Sequence, residues 1–248
     1  MMDFIYGIHA TRIYLSTATG TPQRLLLKSG NLGPRLREIR DRVEMMDCPV
    51  EYLSRAALDE ITPGKHQGVI LYTTSPIEAV SLDVLLAKEV ERDNPRRLFL
   101  ILDGVKDPHN LGACLRSAAT MGVDAVIAPR SNSAPLSVTA IKTACGGANL
   151  VPYLQVSNLA RTLEQLKSSD CWILGTTLDA ERPLSSFDLT GDLVLVMGSE
   201  DGGLRRNTRK HCDYLAKIPM VNDILGFNVS VATGISLYEV QQQRGIKG

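Results

Sequence analysis

Four polar side chains stand apart from the apolar stretches that hold them. Asn110 and Arg116 lie in "LDGVKDPHNLGACLRSAATMG" (102–122), Glu200 in "MGSEDGGLRRNTRKHC" (197–212) and Asn228 in "IPMVNDILGFNVSVATGI" (218–235). They offer two amides, a guanidinium and a carboxylate, groups that orient a hydroxyl, grip a phosphate or accept a hydrogen bond. Each also has a plainer reading. Arg116 sits among Gly112, Ala113, Ser117, Ala118 and Ala119, and is either a paired structural charge or a functional group. Glu200 stands between Gly198 and the pair Gly202-Gly203. Such glycines let backbone groups approach a ligand closely, or simply let a strand turn. Asn228 and Ser230 lie near a helix start, where capping alone would explain them.

Other chemistries find little support. No G-x-G-x-x-G follows the first strand of the alternating region, and no G-x-x-x-x-G-K-[ST] occurs, which argues against a dinucleotide fold and a phosphate loop. The five cysteines are scattered without a C-x-x-C pair, and the four histidines show no ligand spacing. Neither a disulfide framework nor a metal site is expected. Lys+Arg and Asp+Glu both number 27, so any nucleic-acid contact must come from local patches. No apolar run approaches the about 18 residues of a membrane span. "MMDFIYGIHA" lacks the basic start and apolar core of a secretory leader, so a cytoplasmic location is expected.

Short strands and helices alternate through residues 1–76, with strands expected at 23–28 and 68–74. "GPRLREIRDRVEMM" (33–46) reads as a helix with Leu36, Ile39, Val43 and Met46 on one face. Its other face carries Arg35, Arg37, Arg40 and Arg42, broken by Glu38, Asp41 and Glu44. That face is either solvated and internally paired or a phosphate-contacting surface. Residues 77–97 hold a short amphipathic helix and a charged, proline-bearing hinge, a candidate linker. From 98 onward, strands at 98–102, 124–129, 171–177, 193–198 and 214–219 alternate with helices near 111–121, 136–144, 158–169, 203–211 and 228–244. Near-continuous apolar strands separated by helices imply an α/β fold with a parallel sheet covered on both faces.

Taken together and in this order, "DPHNLGACLRSAATMG", "LVLVMGSEDGGLRRNTRKHCDYLAKIPM" and "GFNVSVATGI" resemble the three motifs of the SpoU/TrmH branch of the SPOUT RNA methyltransferases. Upstream, "IYGIHA" (5–10) and "HQGVIL" (66–71) look like that family's small substrate-binding domain. The likeness is greatest to its bacterial 23S rRNA guanosine-2′-O-methyltransferases. It implies an RNA-binding domain at 1–76, a linker at 77–97 and a SPOUT domain at 98–248, with a deep trefoil knot, an S-adenosylmethionine cofactor, no metal and a homodimer. Carried over by motif, Asn110, Arg116, Glu200 and Asn228 are catalytic, with Glu200 and Asn228 orienting the arginine and the ribose. Thr176, Gly198, Ile218, Pro219 and Phe227 line the cofactor pocket. Arg35, Arg37, Arg205 and Arg206 are expected on the RNA. Arg116 suits a phosphate beside the target ribose better than it suits proton abstraction, and the small residues around it would admit the partner subunit's backbone.

Two departures matter. The third motif commonly reads Ser-Leu-Asn-Val-Ser, where this chain has Gly226-Phe227-Asn228-Val229-Ser230, and in the second motif Asp201-Gly202 reverses the expected glycine and acid. A tRNA ribose methyltransferase of the same family, and a catalytically silent RNA-binding or ribosome-assembly protein, are the alternatives.

Overall fold

In the computed structural model the chain divides into two units, residues 1–78 and 79–248. The described residues are 3–17, 21–62, 65–73, 81–87, 96–200, 202–222 and 226–245. Much of the expected linker, 77–80 and 88–95, lies outside them.

The first unit runs β1 (Asp3–Tyr6), α1 (Ile8–Thr17), β2 (Pro22–Lys28), α2 (Pro34–Glu44), β3 (Val50–Leu53), α3 (Arg55–Ile61) and β4 (Val69–Thr73). Its strand order is β1-β4-β2-β3, with only the β2–β3 pair parallel. Pro34, whose fixed φ suits a first helical turn, opens α2. The periodicity seats Leu36, Ile39 and Val43 against Leu25, Leu27, Val69 and Leu71. Met46 departs from that expectation: α2 ends two residues earlier, and Met46 is 42% exposed.

The second unit contains α4 (Leu82–Ala87), β5 (Leu98–Asp103), α5 (Pro108–Thr120), β6 (Ala125–Pro129), α6 (Val138–Thr143), α7 (Gly147–Leu150) and β7 (Tyr153–Val156). It continues with α8 (Leu159–Lys167), β8 (Trp172–Thr176), β9 (Leu193–Gly198), α9 (Arg206–His211), β10 (Tyr214–Ala216) and α10 (Val229–Gln243). Six strands in the order β10-β8-β9-β5-β6-β7 form one sheet, and every pair is parallel. β5 shows why its sequence is apolar throughout. Leu98, Leu100 and Leu102 enter the core under α5 and α10, while Phe99 and Ile101 enter the core under α4 and α8.

Strand β10 is shorter than the stretch 214–219 suggests: after Ala216 only Lys217 bridges to Pro183, and Ile218 and Pro219 leave the sheet. α5 packs on the core through Leu111, Gly112, Cys114, Leu115 and Ala118. A Cβ on Gly112 would lie 2.5 Å from the Ala140 carbonyl oxygen, and one on Gly147 would lie 2.9 Å from the Arg116 Cα. Within the chain, Gly112 and Gly147 thus admit the backbones of α5, α6 and α7 to one another.

Candidate active site

Asp103 and Gly198 are the last paired residues of β5 and β9. From this rung the two loops diverge. The one after β5 enters α5 on one face of the sheet, and the one after β9 carries Leu204 into the core of the other. Such a divergence opens a crevice at the carboxyl ends of parallel strands, the usual ligand position in this architecture.

Three elements bring the polar side chains into that crevice. Asp107 caps α5, its Oδ1 accepting from the His109 amide at 2.8 Å, and so fixes the first turn that holds Asn110. After β9 the chain doubles back. Ser199 and Gly203 exchange backbone hydrogen bonds of 3.0 and 2.9 Å, presenting Glu200 in the turn. Only glycine fits at 198, because a Cβ would lie 2.2 Å from the Gly203 carbonyl carbon. Asn228 caps α10, its Oδ1 accepting from the Ser230 amide at 2.9 Å and the Ser230 hydroxyl at 2.6 Å.

The three polar groups converge on one carboxylate oxygen. Glu200 Oε1 accepts from Asn110 Nδ2 at 3.1 Å, from the Val229 amide at 3.3 Å and from Asn228 Nδ2. Asn228 Nδ2 also reaches Asn110 Oδ1 at 3.1 Å. Asn228 is thus both cap and site residue, and Glu200 sits where a helix N-terminus favours negative charge. Among the described residues no hydrogen bond reaches the other oxygen, Oε2.

Two cavities meet at this cluster. The larger, about 620 Å³, is lined by Thr176, Gly198, Ile218, Phe227 and Asn228 among others. Beside it a cleft of about 410 Å³ is lined by Lys106, Asp107 and Asn110. Ser199, Glu200, Gly202 and Val229 line both. In the lining of the larger cavity, Asp179 takes hydrogen bonds from Thr177 and Arg209, which hold its carboxyl below the usual carboxylate range. Pro219, expected in the lining, is exposed and does not contribute to it.

Arg116 departs from the expected geometry. It is exposed on α5, and its side chain's nearest polar contact is the Cys145 sulfur, 3.8 Å from Nη1. It contacts neither Glu200 nor Asn228 within the chain. No carboxylate pairs with it among the described residues. Arg205, expected on RNA, is tied to Asp103. Arg206, Arg35 and Arg37 are exposed and form no ion pair among the described residues. Sequence reasoning missed Asp103, which merely ends an apolar strand, and Asp179, which stands in an ordinary polar turn.

One departure from the motif acquires a physical reason. Gly226 has φ +66°, a left-handed conformation that disfavours serine. Asp201 lies outside the described residues. All five cysteines are free thiols, and burial pushes Cys114, beneath the cluster, up to about 11. Among the described residues no cluster of metal-ligating side chains occurs, and no helix is long and apolar enough to cross a membrane.

The chain is similar over nearly its whole length to known enzymes. The profile of the SpoU rRNA Methylase family matches residues 97–238, and that of RNA 2′-O ribose methyltransferase substrate binding matches 4–79. The 23S rRNA (guanosine-2′-O-)-methyltransferase RlmB of Escherichia coli (strain K12) is 44% identical over 245 residues, covering 98% of this chain and 100% of that protein. Its namesake from Pseudomonas aeruginosa is 44% identical over 240 residues, covering 97% and 96%. The crystal structure of the SpoU methyltransferase AviRb from Streptomyces viridochromogenes, in complex with the cofactor AdoMet, shares the fold. Its TM-score is 0.80 at 21% identity, with 98% of this chain and 90% of that chain covered. A three-motif cluster at the crevice of a parallel sheet and a matching profile over most of the larger unit lead to one assignment: the chain belongs to the SpoU rRNA methylase family.

Proposed function

We propose that this protein transfers a methyl group from S-adenosylmethionine to the ribose 2′-hydroxyl of a guanosine in 23S rRNA. The observation that carries this reading is the place of Glu200 on the wall between two cavities. Asn228 lines the larger cavity and Asn110 the smaller cleft, so a donor and an acceptor would meet across one carboxylate. The larger cavity has the size of a small-molecule site. Its strand-end backbone at Thr176 and Gly198, with Ile218 and Phe227 as apolar walls, fits a nucleoside carrying a short polar tail. S-adenosylmethionine, when bound, supplies an electrophilic methyl on its sulfonium.

The chain's own residues do the rest. Asn110 hydrogen-bonds the ribose and Asn228 braces Glu200. Glu200 Oε2, open to a new partner, receives the hydroxyl's hydrogen bond and then its proton. Fixing these groups before substrate arrives removes the orientational cost of the reaction. Arg116, exposed and without an ion pair among the described residues, grips a phosphate next to the target ribose with its planar fork. Residues 1–76 hold the RNA. A homodimer completes the site through α10, whose Val231, Ile235 and Tyr238 leave an apolar stripe exposed. The family's trefoil knot and a cytoplasmic location belong to the same proposal.

The test is methylation of 23S rRNA fragments by the purified protein with labelled S-adenosylmethionine, followed by ribose-methylation mapping. One methylated guanosine is expected, with Glu200→Gln losing turnover by a factor of 100 or more while keeping cofactor affinity. Cofactor binding without transfer would leave the silent RNA-binding alternative, and label confined to tRNA would favour the tRNA alternative.

A further inference from the structure

Asp103 is a carboxylate with no exposed surface, at the end of a strand of apolar residues. A buried charge is costly unless it is paired and hydrogen-bonded, and this one is. Its Oδ2 accepts from the Arg205 backbone amide at 2.9 Å, and its Oδ1 accepts from Arg205 Nε at 2.5 Å and pairs with Nη2. The partners are 102 residues apart in sequence. Their position matters more than their energy. Asp103 pairs in register with Gly198, so it stands where the loop bearing Asn110 and the turn bearing Glu200 both depart.

The Glu200 turn has two roots. One is Gly198, at the end of β9. The other is Leu204 and Arg205, where the chain leaves the Ser199–Gly203 pair for α9. Leu204 is seated in the core. Arg205 is the first residue beyond it, and its backbone and its side chain both hold one carboxylate. We infer that Asp103 and Arg205 are positioning residues that hold the Glu200 turn against the Asn110 loop. Neither touches substrate in this reading. Both act through the placement of Glu200 and of the cavity wall at Gly198 and Gly202. The inference rests on the assignment of Glu200 to the site.

The rival role is the one the sequence suggests for Arg205, a direct RNA contact, and its side chain keeps 43% exposure. The two roles give opposite results in the full-length protein. Arg205→Gln leaves the buried Asp103 carboxylate without its ion pair, so its melting temperature falls, and kcat is read well below that temperature. As a positioning residue, its loss lowers kcat at least tenfold and weakens S-adenosylmethionine binding severalfold. The salt dependence of the RNA KM stays that of wild type. Arg205→Lys, which keeps the charge without the fork, should recover part of kcat. The double variant Asp103→Asn/Arg205→Gln should be no worse than the poorer single variant, because both remove one interaction.

Unchanged kcat and cofactor affinity with a raised RNA KM and a flatter salt dependence would overturn the inference in favour of RNA contact. A lowered melting temperature with kcat intact well below it would reduce the pair to a structural one. Glu200→Gln in the same assay separates the premise: if it keeps turnover, the site assignment fails whatever Arg205 does.

Discussion

Arg116 is the residue at which the proposed mechanism is most directly tested. An arginine held by a buried carboxylate would leave an orphaned charge on removal, but Arg116 is exposed and, among the described residues, its side chain has only the weak sulfur contact. Arg116→Ala should therefore change folding stability by less than about 0.5 kcal/mol. Methyl transfer should fall by a factor of about 100 or more, equivalent to about 2.7 kcal/mol of transition-state stabilisation. Arg116→Lys should stay largely inactive, since a point charge does not reproduce the planar fork. Thermal melts beside single-turnover rates check this; near-normal turnover in Arg116→Ala removes the arginine from the mechanism. Asn110, Glu200 and Asn228 could be named from the sequence because the three motifs that hold them, taken together and in order, resemble those of the family. Asp103 could not, because an aspartate after five apolar residues is a common strand ending and its partner is more than 100 residues away. Only the folded register sets it beside Gly198.

At the scale of elements, the small residues of α5 serve packing within the chain. Their spacing announces a close approach of backbones without saying whose. Gly112 and Gly147 allow α6 and α7 to lie against α5, and Ser117 faces Gly234 of α10. The dimer face of the proposed function lies on α10 itself. Val231, Ile235 and Tyr238 are 49, 37 and 53% exposed, at the i, i+4, i+7 spacing of one helical face. Val229, Thr233, Ser236, Leu237 and Val240 of the same helix are buried in the unit. A helix apolar on both its faces leaves one of them unpartnered. A carboxylate introduced at the centre of a dimer interface remains unpaired when buried. Ile235→Asp should therefore weaken dimerisation at least 100-fold, about 2.7 kcal/mol, and lower activity at protein concentrations where the variant is monomeric. Sedimentation velocity at several concentrations measures it. An Ile235→Asp dimer as tight as wild type would move the interface elsewhere, and an active wild-type monomer would dispense with a dimer.

For the whole molecule, the parallel architecture of the larger unit was the easier half to read. Strands buried on both faces are apolar at every position, and the intervening helices set a clear rhythm. Strand β7 and helix α7 escaped because four-residue elements are too short to show a period. In the smaller unit the sheet mixes parallel and antiparallel pairs, and composition alone does not order its strands. The proposed function divides the labour between these two units. It places the chemistry at the β5–β9 crevice, while α2 of the smaller unit turns Arg35 and Arg37 to solvent, free of ion pairs among the described residues. The helix-face alternatives are thus split: Arg40 pairs with Asp41 and lies 3.9 Å from Glu44, while Arg12 of α1 takes Glu38. Cations without local partners gain most from a phosphate, because no internal pair must break first. Arg35→Ala/Arg37→Ala should raise the KM for rRNA and flatten the log–log salt dependence of binding by at most about 0.9 per lost phosphate contact. S-adenosylmethionine affinity should stay within about twofold of wild type, below the roughly 0.4 kcal/mol that such a factor represents. Titrations at several salt concentrations decide the matter: an unchanged slope means α2 does not face the RNA, and a loss of cofactor affinity means the two units are not separable in function.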